Sequence, residues 1–345
     1  MHTIPSEKAT SAGNKMQRGG TVREFCLACQ ADLEPARKHV DEARRAVRSG
    51  ILNINKPSGI TSHDVVDRAR EASGVKRVGH AGTLDPSASG VLLVCIGQAT
   101  RVAEYLMAGR KRYRVEIHLG TSTDTHDRDG KVTYQAPEVN TSREEIEQAL
   151  TIFRGRVQQI PPMYSALRHN GTRLYELARR GIQVERTPRQ VEIYDLQLTD
   201  WTSPVLRLTV ECSKGTYVRA LARDLGKALG TGGHLSNLVR VGSGSFILDD
   251  AVSLSAVERR FAEGRWPQIL HPLDEALLQF EAVIVDGETE RKIRQGQQVR
   301  GPEPLDGPLC RAYSPSGEFI ALLRYDNEEE VWRPRKVFNL HEAGT

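Results

Sequence analysis

A chain of 345 residues, 39% hydrophobic and 27% charged, is long enough for two domains with a sizeable core. No apolar run approaches the roughly eighteen residues of a membrane span, and residues 1–20 carry lysines without the apolar core of a secretory signal, so a cytoplasmic protein is expected. Five cysteines are few and odd in number, which fits a reducing compartment, and residues 1–50 hold nine Lys/Arg against six Asp/Glu, leaving a nearly neutral 39 against 38 beyond them. A nucleic-acid partner would therefore have to meet clustered rather than global positive charge.

Residues 1–48 open Ser/Gly/Lys-rich and pass into 33–47, where Ala, Arg, Lys and Glu predict a short helix. Cys26 and Cys29 form a C-x2-C pair, but zinc needs four ligands and no second pair follows; a mobile extension without metal is the expectation. The globular part starts with a strand at 50–57, stopped by Lys56-Pro57-Ser58-Gly59, and Ser62 predicts the N-cap of a helix that buries Val65, Val66 and Ala69 and ends at Gly74. The string GHAGTLDPSASG over 79–90 then turns on three glycines, and Pro86 biases Asp85 toward an extended conformation. By itself Asp85 before a proline reads as a turn-former. The apolar strand at 91–96 behind it rests the loop on a sheet edge, a common place for chemistry.

Thr100 predicts a cap for a helix through Met107. Beyond it, Tyr113, Val115, Ile117 and Leu119 alternate with Arg114, Glu116 and His118 as a strand with one wet face. Tyr113 reads either as core or, inside Arg110-Lys111-Arg112-Tyr113-Arg114, as a ring that stacks on a base with phosphates held alongside. Residues 121–130 (TSTDTHDRDG) form an acidic turn whose spacing is not that of a calcium loop. Ser142 and Glu145 predict a capping box for a helix ending near Gly155. In 159–181, Pro161-Pro162 gives an extended entry to a basic helix, by itself an ordinary solvated surface. Strands at 190–198 and 206–212 lead through a glycine turn into a helix bearing Arg219 near its N-terminus, where the dipole disfavours an unpaired cation and an anionic partner is called for. From Pro272 onward, residues 284–299 and short strands at 309–313, 319–324 and 335–338 read as a small β domain.

The 79–90 string resembles the catalytic motif of the TruB family of tRNA pseudouridine synthases, as do the opening GILNINKP, the T-x-T-D-T-x-D-x-D-G segment and CSKGTYVR at 212–219. The resemblance implies an α+β fold: a mixed, mainly antiparallel sheet core with flanking helices over 49–271, an RNA-gripping insertion at 159–181, and a PUA-like RNA-binding domain over 272–345. It implies an isomerase that converts uridine to pseudouridine in the T-arm of tRNA, at position 55, and chemistry of that kind needs no cofactor. By the same carry-over, Asp85 is the nucleophile, Arg219 pairs with it and holds it ionised, and Tyr113 packs on the base and assists proton transfer. Tyr217 and Leu238 wall the pocket, and His80 fills the space left by the flipped nucleotide, with a core histidine as the alternative. Arg168, Arg173, Arg179 and Arg180 meet phosphates. Partners are expected to be tRNA alone, with a monomeric chain and no obligatory protein. Two other functions stay open: a relative working in guide-RNA complexes, against which the arginine-rich insertion argues, and a non-catalytic RNA-binding chaperone on the same fold.

Overall fold

The computed structural model describes residues 22–24, 49–165 and 167–340; the expected helix at 33–47 and the Cys26/Cys29 pair lie outside them. The described residues form two compact units, the larger containing 49–277 and the smaller containing 22–24 and Leu278–Phe338.

The larger unit is organised on one sheet. Its main strands are β1 (Gly50–Lys56), β2 (Val78–His80), β3 (Ser89–Ile96), β4 (Lys111–Leu119), β5 (Gly155–Gln159), β6 (Arg189–Thr202), β7 (Val205–Cys212), β8 (Gly233–Ser243) and the short β9 (Val252–Ser253). They lie in the order β9-β1-β3-β8-β4-β7-β6-β5, with β2 paired to β3. Only β9/β1 and β3/β8 are parallel along this path, which makes the sheet mainly antiparallel and the unit α+β. The helices are α1 (Ser62–Ser73), α2 (Ala103–Ala108), α3 (Arg143–Leu150), α4 (Leu174–Arg179), α5 (Val218–Ala228) and α6 (Leu254–Ala262). Val65, Val66 and Ala69 of α1 and Leu221, Ala222 and Leu225 of α5 join Leu92, Val94, Val115 and Ile117 of the sheet in one core. None of the described helices is long and apolar enough to cross a membrane.

Local chemistry sets the element ends. At α1 the cap is Thr61, one residue before the expected Ser62, and a capping box with Asp64 explains the choice: Asp64 is three residues after Thr61 and its carboxylate accepts from the Thr61 N–H at 2.7 Å. The Ser62 hydroxyl is drawn inward instead, donating to Leu84 O at 2.9 Å and accepting from Leu84 N at 2.8 Å. Thr100 caps nothing; it lies in a 3-10 turn (Gly97–Val102) ahead of α2 and donates to Gly97 O. The Ser142/Glu145 box starts α3 as expected. Residues 233–243, noted in the sequence only for Leu238, form the central strand β8 between β3 and β4.

In the smaller unit, β10 (Glu281–Ile284), β11 (Leu309–Tyr313), β12 (Phe319–Asp326) and β13 (Val331–Val337) follow one another in a sheet whose outer neighbour on β10 is a parallel strand at Val22–Glu24. The segment read as part of a β module after Ile284 is a helix, α7 (Gly287–Arg294). Asp286 caps it by accepting from Thr289 N at 2.7 Å, and Glu288–Lys292 and Glu290–Arg294 pairs run along it. Ile293 packs with Val285, Val299, Cys310, Leu323 and Trp332.

Candidate active site

Asp85 stands in the loop between β2 and β3, and Arg219 grips its carboxylate with two prongs: Nε to Oδ2 at 2.9 Å and Nη2 to Oδ1 at 3.0 Å. Arg219 is the second residue of α5 and only 6% exposed. Tyr217, at the helix cap, offers no side-chain cap; its backbone N–H donates to Gln159 Oε1 at 2.8 Å and its carbonyl accepts from Gln159 Nε2 at 3.0 Å. The rest of the guanidinium is also engaged: Nη2 donates to Tyr164 O at 2.8 Å, Nη1 to Thr125 O at 3.3 Å, and Asp127 lies 3.5 Å from Nη1. A buried cation is tolerable on these terms, because two carboxylates and two carbonyls surround a planar fork that lysine could not match. Through it the loop of Asp85, the acidic turn and the 159–181 segment are tied at one point.

Two further buried cations hold the loop from behind. Lys56, fully buried, donates to Pro57 O, Ile60 O and Pro86 O at 2.8, 2.7 and 3.2 Å, and burial pushes its pKa down to about 8 against the opposing charges of Asp85 and Asp64. Arg240, on β8, donates Nε to Val91 O at 2.6 Å, Nη2 to Gly82 O at 3.0 Å and Nη1 to Thr83 O at 3.4 Å. The close approach of β8 to β3 depends on Gly90: its φ is +101°, and a Cβ there would stand 2.2 Å from Arg240 O.

Burial pushes the Asp85 carboxyl above its ordinary value; Arg219 opposes this by charge and hydrogen bond, Asp127 adds to the rise, and Lys56 opposes it. Arg219 thus favours the charged form, while desolvation works against it and leaves the carboxyl above its ordinary value. Tyr113 is 8% exposed on β4 opposite Arg240, and burial raises its phenol, keeping it neutral; a hydrogen bond with Arg240 opposes the shift. Arg112 and Arg114, expected to hold phosphates beside it, project to the other face of the strand, because alternation along β4 separates them from Tyr113. Lys111, in register with Tyr113, is buried and donates to Leu106 O, Met107 O and Gly109 O, closing the C-terminus of α2.

Tyr217 is raised by burial and, like Tyr113, feels the charge of Asp85. Leu238 lines the same shallow cleft as Asp85, together with Ser87, Ala88, Leu235, Ser236 and Asn237. His80 is lowered by burial and by Arg240, so its ring is neutral at physiological pH, and its Nδ1 is buried with no hydrogen-bond partner among the described residues. Arg168, Arg173, Arg179 and Arg180 are exposed in the 159–181 segment, where Arg168 donates to Gly171 O and Arg173 and Arg179 lie over the Tyr175 ring at 5.9 and 5.5 Å.

A TruB family pseudouridylate synthase N-terminal domain model matches residues 70–218, and a tRNA pseudouridylate synthase B C-terminal domain model matches 219–283. The tRNA pseudouridine synthase B of Dehalococcoides mccartyi (strain BAV1) is 44% identical over 290 residues, covering 84% of this chain and 96% of the relative. The chain belongs to the TruB family. The Geobacillus thermodenitrificans tRNA pseudouridine synthase B is similar at 43% over 300 residues, covering 84% of this chain and 99% of its own length. The TruB fold is shared with a chain from the structure of an H/ACA RNP bound to a substrate RNA containing 2'-deoxyuridine. That likeness has a TM-score of 0.66 at 22% identity and covers 89% of this chain and 90% of that one.

Residues that sequence reasoning passed over are Lys56, Asp127, Gln159 and Arg240. Asp127 is one acid of three in a turn, and nothing in the spacing distinguishes it. Arg240 is 2% exposed, against the usual surface place of arginine, and no pattern in β8 announces it.

Proposed function

We propose that this TruB chain isomerises uridine to pseudouridine in tRNA, at position 55 of the T-arm, with Asp85 as nucleophile. The observation that carries this reading is the two-pronged Arg219–Asp85 bridge at the end of a cleft walled by Leu238, in a chain 43–44% identical to proteins named tRNA pseudouridine synthase B. The reaction breaks the bond from ribose C1′ to uracil N1 and makes one from C1′ to C5. N1 gains a proton and C5 loses one, so no redox partner or transferred group is needed. What it needs is a carboxylate aimed at C1′ or C6, a wall to retain the loose base, and exclusion of water. Attack at either carbon uses the same aimed carboxylate.

In this reading Tyr113 stacks on the base, its neutral phenol keeping an O–H to donate while its oxygen accepts from Arg240. Tyr217 and Leu238 wall the pocket. The unpartnered Nδ1 and neutral ring of His80 suit insertion among bases where a nucleotide has flipped out. The exposed arginines 168, 173, 179 and 180 grip backbone phosphates, and the Leu278–Phe338 unit acts as a PUA-like RNA-binding module of a cytoplasmic enzyme that works as a monomer. Mapping pseudouridine in an unmodified tRNA transcript after incubation with the purified protein tests the reading. Modification at the T-loop uridine supports it, and modification confined to another position or none at all refutes it.

A further inference from the structure

Three loops meet at one edge of the Asp85 cleft, and the cation that joins them has no part in the account above. Arg128, in the acidic turn, donates Nη2 to Ser58 Oγ at 3.4 Å across seventy residues of chain. Ser58 Oγ in turn donates to Ser87 O at 2.9 Å, and Ser87 and Asp85 line the cleft together. The Arg128 backbone N–H donates to Leu235 O at 3.0 Å, fixing the root of the side chain to the cleft wall that Leu235 forms. The Arg128 side chain is 47% exposed, and the carboxylate of Asp129 lies 3.9 Å from Nε with 61% of its own side chain exposed. A pair that long and that wet neutralises little, so the half-exposed side chain keeps its charge available to an anion.

We propose that Arg128, positioned by Ser58, is a seat for a phosphodiester of the RNA strand beside the nucleotide that enters the Asp85 cleft. The inference rests on the reading that RNA is the substrate. The chemistry suits the assignment: a planar fork matches phosphate oxygens, and Ser58 supplies a hydroxyl at the same place. Phosphate contacts set the register of a strand without reading sequence, so this seat fixes how far the target nucleotide reaches into the cleft and leaves base selection to the pocket. Arg128 is a positioning residue, separate from the Arg219–Asp85 pair.

The test compares wild type, Arg128→Gln and Arg128→Lys in two measurements on an unmodified tRNA transcript: equilibrium binding against salt, and steady-state pseudouridine formation. Loss of one phosphate contact lowers the slope of log affinity against log salt by about 0.7 to 0.9. Arg128→Gln is expected to show that decrease with KM raised about threefold to tenfold and kcat within about twofold, and Arg128→Lys to recover the slope. An unchanged slope and KM in Arg128→Gln would overturn the proposal. So would a fall in kcat at unchanged KM and slope, which marks a loop-stabilising role, or a lysine variant that does not restore the slope. Wild-type protein that binds tRNA but makes no pseudouridine would refute the functional reading instead, and the salt slopes would still decide on Arg128.

Discussion

Replacing Arg219 by lysine separates the geometry of the guanidinium from its charge. Arg219 gives Asp85 two parallel hydrogen bonds at 2.9 and 3.0 Å, and an ammonium, a point donor without the planar fork, does not reproduce that pair and retains about one of the two. A hydrogen bond to a charged group contributes about 1.5 to 3 kcal/mol; with 35% of the Asp85 side chain exposed the lower end applies, about 1.5 kcal/mol, which corresponds to about one pH unit. Burial already holds this carboxyl above its ordinary value, so weaker pairing raises it further. The nucleophile must be ionised. Activity is therefore lost as pH falls through the carboxyl pKa, and Arg219→Lys loses it at a pH about one unit higher than wild type. At the plateau, a carboxylate no longer held by a fork costs about 100-fold in rate. Single-turnover pseudouridine formation across the acid and neutral range measures both effects. A lysine variant with the wild-type acid limb and plateau would refute the reasoning.

Gly90→Ala is expected to destabilise the protein by about 2 to 4 kcal/mol in urea unfolding, because its Cβ would meet backbone atoms of Arg240 and its φ is positive; a change under about 0.5 kcal/mol would contradict this. Burial lowers Lys111 to about 8 from 10.5, so between those values the unfolded chain holds a proton the native one has lost, and this lysine makes stability rise with pH. Between about pH 8 and 9 the unfolding free energy of wild type should therefore climb more steeply than that of Lys111→Met, by up to about 1.4 kcal/mol per pH unit, and equal slopes would contradict the burial argument. Changing Arg168, Arg173, Arg179 and Arg180 together to glutamine should leave stability within about 0.5 kcal/mol, these side chains being exposed, while lowering the salt slope of tRNA binding by about 3. An unchanged slope would remove them from the RNA interface.

The sequence revealed those parts of the fold that follow from short-range rules. The Ser142/Glu145 capping box, the alternation over 113–119 and the burial of Val65, Val66 and Ala69 are local patterns, and they appear in place. Errors came where two local rules competed. Thr61 and Ser62 can both cap a helix, and only the position of Asp64 chooses between them. The same alternation that buries Tyr113 carries Arg112 and Arg114 away from it, so the basic cluster could have been divided by face from the sequence. At α7, Asp286 and two acid–base pairs four residues apart are a helix signal carried by the sequence itself, set among strands. The site is legible in its motif residues and illegible in its supports: Lys56, Asp127 and Arg240 act through contacts with chain 30 to 158 residues away, and no periodicity encodes those distances.

If the Asp85 carboxylate, held by Arg219, performs the chemistry, removing its charge alone abolishes turnover. Asp85→Asn keeps the size of the side chain and removes its charge. Pseudouridine formation on a tRNA transcript by this variant, beside wild type and with binding measured in the same samples, is the most direct test. Turnover by wild type and none by Asp85→Asn at undiminished tRNA affinity is the expected result; turnover by the variant, or tight binding by both proteins with no pseudouridine at any position, would rule out Asp85 as the nucleophile of a tRNA pseudouridine synthase.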